Sequence, residues 1–307
     1  MDAEATAGEA GVAPGDWRSV RGILARPSEH VHAVAEAATK SAENGEGWDA
    51  RDVRLGPPVP DPEKIICVGL NYPAHTLEIA AAAPAAPSLF AKFPPSLIGH
   101  REAIVLPAMS REIDWEGELA VVIGRTCKFV PVAGAMDVVA GGMAFNDVSA
   151  RDLQMETSQW TAGKALDTFA PCGPALVSLD ELGEIQSLAL CTRVNGELVQ
   201  DSCTAEMTFS VAEIVSFVSN LMTLRPGDII ATGTPDGVGF RRTPPRFLAA
   251  GDVVEVELEG IGAIANPVLA ADAAAPPAAP GAEAPPAPDA AVGNGAPPRG
   301  TTEVHAP

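Results

Sequence analysis

The stretch Asp114-Trp115-Glu116-Gly117-Glu118-Leu119-Ala120-Val121-Val122-Ile123-Gly124 sets two carboxylates two residues apart, directly before an apolar run that ends at a glycine. A short continuous apolar run of this kind is the pattern of a buried strand. On a strand, residues two apart point to the same face, so Glu116 and Glu118 stand side by side. Like charges that close repel unless a cation lies between them. A further acidic position follows in Phe145-Asn146-Asp147-Val148-Ser149-Ala150-Arg151-Asp152. Three carboxylates with no convergent His or Cys make a hard, oxygen-only site suited to Mg²⁺, Mn²⁺ or Ca²⁺. The spacing also fits the plain solvent face of an edge strand, and by itself leaves both readings open.

Strand signals continue on either side. Ile65–Leu70 is another short apolar run, and Val253–Leu258 alternates apolar and acidic residues. One helix is clear: Val211, Ile214, Val215, Val218, Leu221 and Met222 recur at helical spacing, and Ser210 with Glu213 forms a capping box. The stretch from Pro131 to Ala140, with proline at its start, predicts a shorter helix, and His30–Ala42 a weaker one. Many short strands with Gly/Pro turns and few helices point to a fold that is α+β and mostly β, without a βαβ repeat. Residues 271–307 are Ala/Pro/Gly-rich with almost no large apolar side chain, and residues 1–15 are similar. Neither can bury enough surface to offset chain entropy, so both are expected to be disordered. Residues 16–63 are then expected to form a small N-terminal region packed on a core domain spanning 64–270.

The chain has 307 residues and a net charge of −20, with no basic stripe. That argues against nucleic acid or an anionic membrane surface as partner. No apolar run is long enough to span a bilayer, and no signal-peptide pattern opens the sequence. The five cysteines are odd in number and form no C-x-x-C pair, so they read as reduced, mostly buried thiols of a cytoplasmic protein.

Four further segments carry chemistry-bearing residues. In Asn71-Tyr72-Pro73-Ala74-His75-Thr76-Leu77-Glu78, a helix would make His75 and Glu78 neighbours, the carboxylate orienting the imidazole as a general base. A surface pair with no task has the same spacing. The Ala/Pro-rich residues that follow, Ile79–Ser88, have little side-chain area to pack and read as a lid. Lys164, among small and apolar neighbours, is either an oxyanion partner or an ordinary lysine. Thr232-Gly233-Thr234-Pro235-Asp236-Gly237-Val238-Gly239 is a Gly-rich turn of the sort that holds anions, without the Lys of a Walker A loop.

In order and spacing these segments resemble the fumarylacetoacetate hydrolase superfamily, in particular its short domain-containing members and their bacterial isomerase-like relatives. The matching stretches are Cys67-Val-Gly-Leu-Asn-Tyr-Pro-Ala-His75, Phe90-Ala-Lys92, Asp114–Gly124, Asn146–Gln154, Gly163-Lys164, Asp167–Pro174, Val194-Asn-Gly196, Pro226–Pro235 and Gly237-Val-Gly239. The resemblance implies a mixed β-roll or barrel-like core, a homodimer, and one Mg²⁺ or Mn²⁺ on Glu116, Glu118 and Asp147. It maps a catalytic His–Glu dyad onto His75 and Glu78 and a catalytic lysine onto Lys164, and it places Arg151, Gln154 and Thr234 at the substrate. Gly117 departs from the valine usual between the two glutamates and is expected to loosen the strand. The implied activity is on small 2-oxo acids through an enolate that the cation stabilises. C–C hydrolysis of an acylpyruvate- or fumarylpyruvate-like β-diketo acid is the first expectation. An oxaloacetate-type decarboxylase, a keto–enol tautomerase or a 5-carboxymethyl-2-hydroxymuconate-type isomerase is the alternative on the same scaffold, and an inactive binding homologue a remote one.

Overall fold

The computed structural model describes residues 19–26, 28–45, 52–82 and 84–271. The disorder expected of residues 1–15 lies outside the described residues, as does that of the C-terminal segment beyond Ala271. The described strands are β1 (Ile65–Gly69), β2 (Ser88–Lys92), β3 (Leu97–Ile98), β4 (Ile104–Leu106), β5 (Ile113–Asp114), β6 (Gly117–Ile123), β7 (Val139–Asn146), β8 (Ser149–Ala150), β9 (Ala170–Ser178), β10 (Ala189–Val194), β11 (Glu197–Cys203), β12 (Ile229–Ala231), β13 (Val253–Leu258) and β14 (Gly262–Ala270). Strand outweighs helix, and the fold is mixed α+β as expected. Seven strands form a mixed sheet in the order β2-β1-β12-β6-β7-β9-β3. Five form a second in the order β11-β10-β13-β14-β4, and β5 pairs with β8.

The apolar run quoted at the outset is β6, at the middle of the larger sheet and antiparallel to both β12 and β7. Its side chains alternate between two cores. Leu119, Val121 and Ile123 enter a cluster with Ile66, Val68, Ile230 and the helix Val211–Leu221. Ala120 and Val122 enter another with Ile65, Cys67, Ile229 and Phe145. A strand covered on both faces needs an unbroken apolar run rather than alternation. Each large aliphatic side chain so buried contributes roughly 1.5–3 kcal/mol.

The helix Val211–Leu221 starts where its capping box predicts. Ser210 Oγ accepts the Glu213 amide and Glu213 Oε2 accepts the Ser210 amide at 2.8 Å. The helix expected over 131–140 is absent. Two 3₁₀ turns, Val132–Gly134 and Met136–Val138, stand there instead, and Val139 and Ala140 already belong to β7. The amide of Gly124 donates to the carbonyl of Val138 at 2.7 Å. Pairing with β6 thus claims this backbone before a helix can propagate. Towards the N-terminus, the helix Ser28–Glu43 covers the one expected over 30–42, and Val20 and Leu24 of the helix Val20–Leu24 pack against the second core. All five cysteines are free thiols. Only Cys67 and Cys172 are buried, the other three being part-exposed. No helix among the described residues is long and apolar enough to cross a membrane.

Candidate active site

The catalytic candidates gather where β6 begins and β7 ends. Gly117 pairs with Asn146, so Glu116 and Glu118 flank the register position that Asp147 follows. Ligand oxygens of the three carboxylates lie within 4.8 Å of one another, and all three residues are buried. Two backbone contacts set this geometry: the Asp147 amide donates to the Glu116 carbonyl at 2.9 Å, and the Glu116 amide to Asn146 Oδ1 at 3.0 Å.

Three buried cations face the acids. Lys164 Nζ lies 2.6 Å from Glu116 Oε2 and 2.8 Å from Asp147 Oδ2. Arg151 lies 2.7 Å from Glu116 Oε1 and 2.9 Å from Asp114 Oδ2. Lys92 Nζ, 1% exposed, is 2.7 Å from Asp147 Oδ1 and donates to the carbonyls of Val148, Phe169 and Lys164. Glu118 differs. Its Oε2 accepts the Gly233 amide at 2.9 Å, and no cation among the described residues pairs with it. Burial, then Asp147 and Glu116, push its carboxyl well above the usual carboxylate range. For Glu116 burial acts in the same direction, but Lys164, Arg151 and His75 outweigh it and hold the carboxyl below that range. Four carboxylates (Asp114, Glu116, Glu118, Asp147) against three cations leave a surplus negative charge in a buried site, and oxygen donors alone surround it. The donor set fits Mg²⁺ or Mn²⁺.

Gly117 does not loosen the strand. A Cβ there would sit 2.1 Å from Thr192 Oγ1, so the second sheet fills the space that a side chain would take. The Gly117 amide donates to Gln200 Oε1 at 2.9 Å and its carbonyl accepts Thr234 Oγ1 at 3.0 Å, clamping the peptide between the two glutamates.

The helix Pro73–Glu78 places His75 Nδ1 3.3 Å from Glu78 Oε2, as the i, i+3 spacing predicts. The other carboxylate oxygen accepts the Gly237 amide at 3.1 Å. The Gly-rich turn therefore holds the dyad through a protein carboxylate. It extends in the same way to Asp114, which accepts the amides of Gly239 at 2.7 Å and Phe240 at 3.1 Å. His75, Glu116, Glu118, Arg151, Gln154, Lys164 and Thr234 line one cleft of about 120 Å³. Arg151 and Gln154 bond each other at 3.0 Å, and Thr234 accepts Gln200 Nε2 at 2.8 Å, so both are held before any substrate arrives. Lys92, Asp114 and Gln200 complete the site without having been singled out from the sequence. Lys92 lies in a matching stretch, and a lysine at the inward end of a strand was the available signal.

Residues 64–269 match the family profile described as Fumarylacetoacetate (FAA) hydrolase C-terminal. The chain belongs to the fumarylacetoacetate hydrolase family. "Oxaloacetate tautomerase FAHD2B, mitochondrial" of Bos taurus is 49% identical over 214 residues, 69% of this chain and 68% of the relative. Among solved structures, 5-carboxymethyl-2-hydroxymuconate delta-isomerase from Mycobacterium smegmatis is 42% identical with a TM-score of 0.65, covering 73% of this chain and 84% of that one. The fumarylacetoacetate hydrolase of the psychrophile Exiguobacterium antarcticum is 43% identical with a TM-score of 0.67, covering 72% and 80%. The strand-rich core is thus the fumarylacetoacetate hydrolase-like fold that the motifs imply. Relatives of this fumarylacetoacetate hydrolase-family chain carry tautomerase and isomerase names as well as hydrolase ones, which shifts the weight from hydrolysis to the alternative activities.

Proposed function

We propose that the chain catalyses keto–enol tautomerisation of a 2-oxo acid of the oxaloacetate type, with one divalent cation on Glu116, Glu118 and Asp147. The observation that carries this reading is that Glu116 and Glu118, the latter with no cation partner among the described residues, and His75 of the His75–Glu78 pair line one cleft. When bound, the cation would polarise the 2-oxo group and stabilise negative charge on its oxygen. Glu78 accepts from His75 Nδ1, which leaves Nε2 as the basic atom that carries a proton between C3 and the C2 oxygen of the acid, taking it from one and giving it to the other. Lys164 and Arg151 orient the substrate carboxylate and share the charge that develops. Gln154 and Thr234 border the same space and limit how the acid can lie.

Tautomerisation needs this proton transfer and nothing more. Hydrolysis, the first expectation from the motifs, also needs a water directed at a distal carbonyl. The 49% identity to a protein named oxaloacetate tautomerase supports the simpler reaction. The test is ketonisation of enol-oxaloacetate, followed by ultraviolet absorbance, with EDTA-treated protein before and after Mn²⁺ is added. Metal-dependent acceleration over the uncatalysed rate is expected. No acceleration, or faster cleavage of acetylpyruvate than ketonisation of oxaloacetate, would reject the tautomerase in favour of the hydrolase.

A further inference from the structure

Away from its carboxylate floor the wall of the cleft turns to rings and aliphatic side chains, Phe240 and Ile79 among them. Phe240 carries two guanidiniums. That of Arg151, at the floor, lies 4.4 Å from the ring centroid, and that of Arg241 lies 4.9 Å from it. Arg241 Nη2 also donates to the carbonyl of Ile79 at 2.6 Å. The two contacts that hold Arg241 are thus both to residues of the cleft wall.

Arg241 opens the segment Arg241-Arg242-Thr243-Pro244-Pro245-Arg246. The other two arginines are engaged elsewhere. Arg242 and Arg246 lie over Trp115, 5.8 and 5.7 Å from its ring centroid, and both meet Glu197, at 3.9 and 2.7 Å. Within the cleft Arg151 and Lys164 share Glu116, and His75 faces Glu78. Arg241 is exposed, and no carboxylate among the described residues pairs with it. A guanidinium has five N–H donors, so one bond to a carbonyl leaves most of them and the whole charge unused. The ring and the Ile79 carbonyl fix the direction of the group in advance, which lowers the entropy cost of taking an anion. The two guanidinium carbons are at most about 10 Å apart, since both lie against one ring. A four-carbon diacid hydrogen-bonded at each end bridges such a span.

We infer that Arg241 binds the distal carboxylate of the substrate, so that the site selects 2-oxo diacids over 2-oxo acids whose far end is uncharged. The inference rests on the tautomerase reading above and deepens it. Arg151 and Lys164 take the carboxylate beside the 2-oxo group, and Arg241 takes the one attached to C3. No bond is made or broken at Arg241. Held at both ends, the acid cannot turn freely about C2–C3, the bond across which the proton moves.

The test compares ketonisation of enol-oxaloacetate with that of its 4-ethyl ester, which keeps the carbon skeleton and loses the distal charge. Wild type, Arg241→Gln and Arg241→Lys are measured. Glutamine can still donate to the Ile79 carbonyl, and lysine keeps the charge. Calorimetry of Mn²⁺-loaded protein with oxalate and with 3,3-difluoro-oxaloacetate, which cannot enolise, reads binding without turnover. Wild type is expected to prefer oxaloacetate in kcat/KM. In Arg241→Gln that preference should fall about tenfold, mostly through KM, with a matching loss of difluoro-oxaloacetate affinity and little change for oxalate. Arg241→Lys should recover part of it. An equal loss on both substrates, or one confined to kcat, would mean that Arg241 only props the helix Pro73–Glu78 through Ile79, and overturns the inference. So does a wild type that turns over diacid and ester alike, or difluoro-oxaloacetate affinity that Arg241→Gln leaves intact. Difluoro-oxaloacetate binding that depends on Arg241, with neither substrate tautomerised, rejects the tautomerase and retains the diacid subsite.

Discussion

Glu118 is the carboxylate that a cation would relieve most, because Lys164, Arg151 and Lys92 serve only its two neighbours. Glu118→Gln keeps an acceptor for the Gly233 amide and removes the surplus charge. It should melt within a few degrees of wild type in EDTA but lose the rise in Tm that Mn²⁺ gives wild type, about 2.7 kcal/mol of stabilisation at a hundredfold excess over Kd. An undiminished Mn²⁺ shift in that variant would remove Glu118 from the ligand set. His75→Ala should depress ketonisation roughly a hundredfold or more, the usual weight of a general base, and leave Mn²⁺ affinity unchanged in calorimetry. Loss of metal binding would mean that His75 is a ligand. Lys92→Met leaves Asp147 short of a buried cation and three carbonyls short of a donor, and should cost about 3–5 kcal/mol in denaturant unfolding. The pair Glu116 and Glu118 was readable because its chemistry lies within three residues. Lys92 was not, because its partners sit more than fifty residues away.

Strand β6 tolerates glycine at 117 because β10 supplies Thr192 in its stead. Gly117→Ala should therefore destabilise the protein by about 1–3 kcal/mol, as overpacking does. Thr192→Ala, which deletes the clashing oxygen, should recover much of that loss in a double-mutant cycle. Strict additivity of the two changes would show that they do not share the space. At the helix Val211–Leu221, Ser210→Ala should cost about 1 kcal/mol in the same assay. That helix was legible because both its cap and its apolar face are local. The turn region 131–140 was misread for the opposite reason. Its proline start and apolar spacing are local, whereas the backbone pairing that overrides them comes from β6. The expected softness at Gly117 failed in the same way, since nothing near it in sequence announces Thr192, Gln200 or Thr234.

Taken as a whole, the described structure and the family match end together, β14 at Ala270 and the match at 269. Every residue of the cleft lies before that point. A protein ending at Ala271 should keep its Tm and its ketonisation rate within error, and a loss of several degrees would place a stabilising contact beyond it. Composition and strand pattern were enough for the class of fold, but the pairing of non-adjacent strands, β1 with β12 above all, became visible only in three dimensions. That pairing has an evolutionary reading. The acids that would grip the metal stand at the adjoining ends of two neighbouring strands at the centre of the sheet, while the His75–Glu78 dyad proposed to handle the proton comes from a separate helix. Mutation can reshape what happens to a bound acid without disturbing what binds it. A duplicated copy of such a gene can therefore exchange one reaction outcome for another by drifting in its peripheral segments, and at no stage needs to pass through a form that has lost its cofactor.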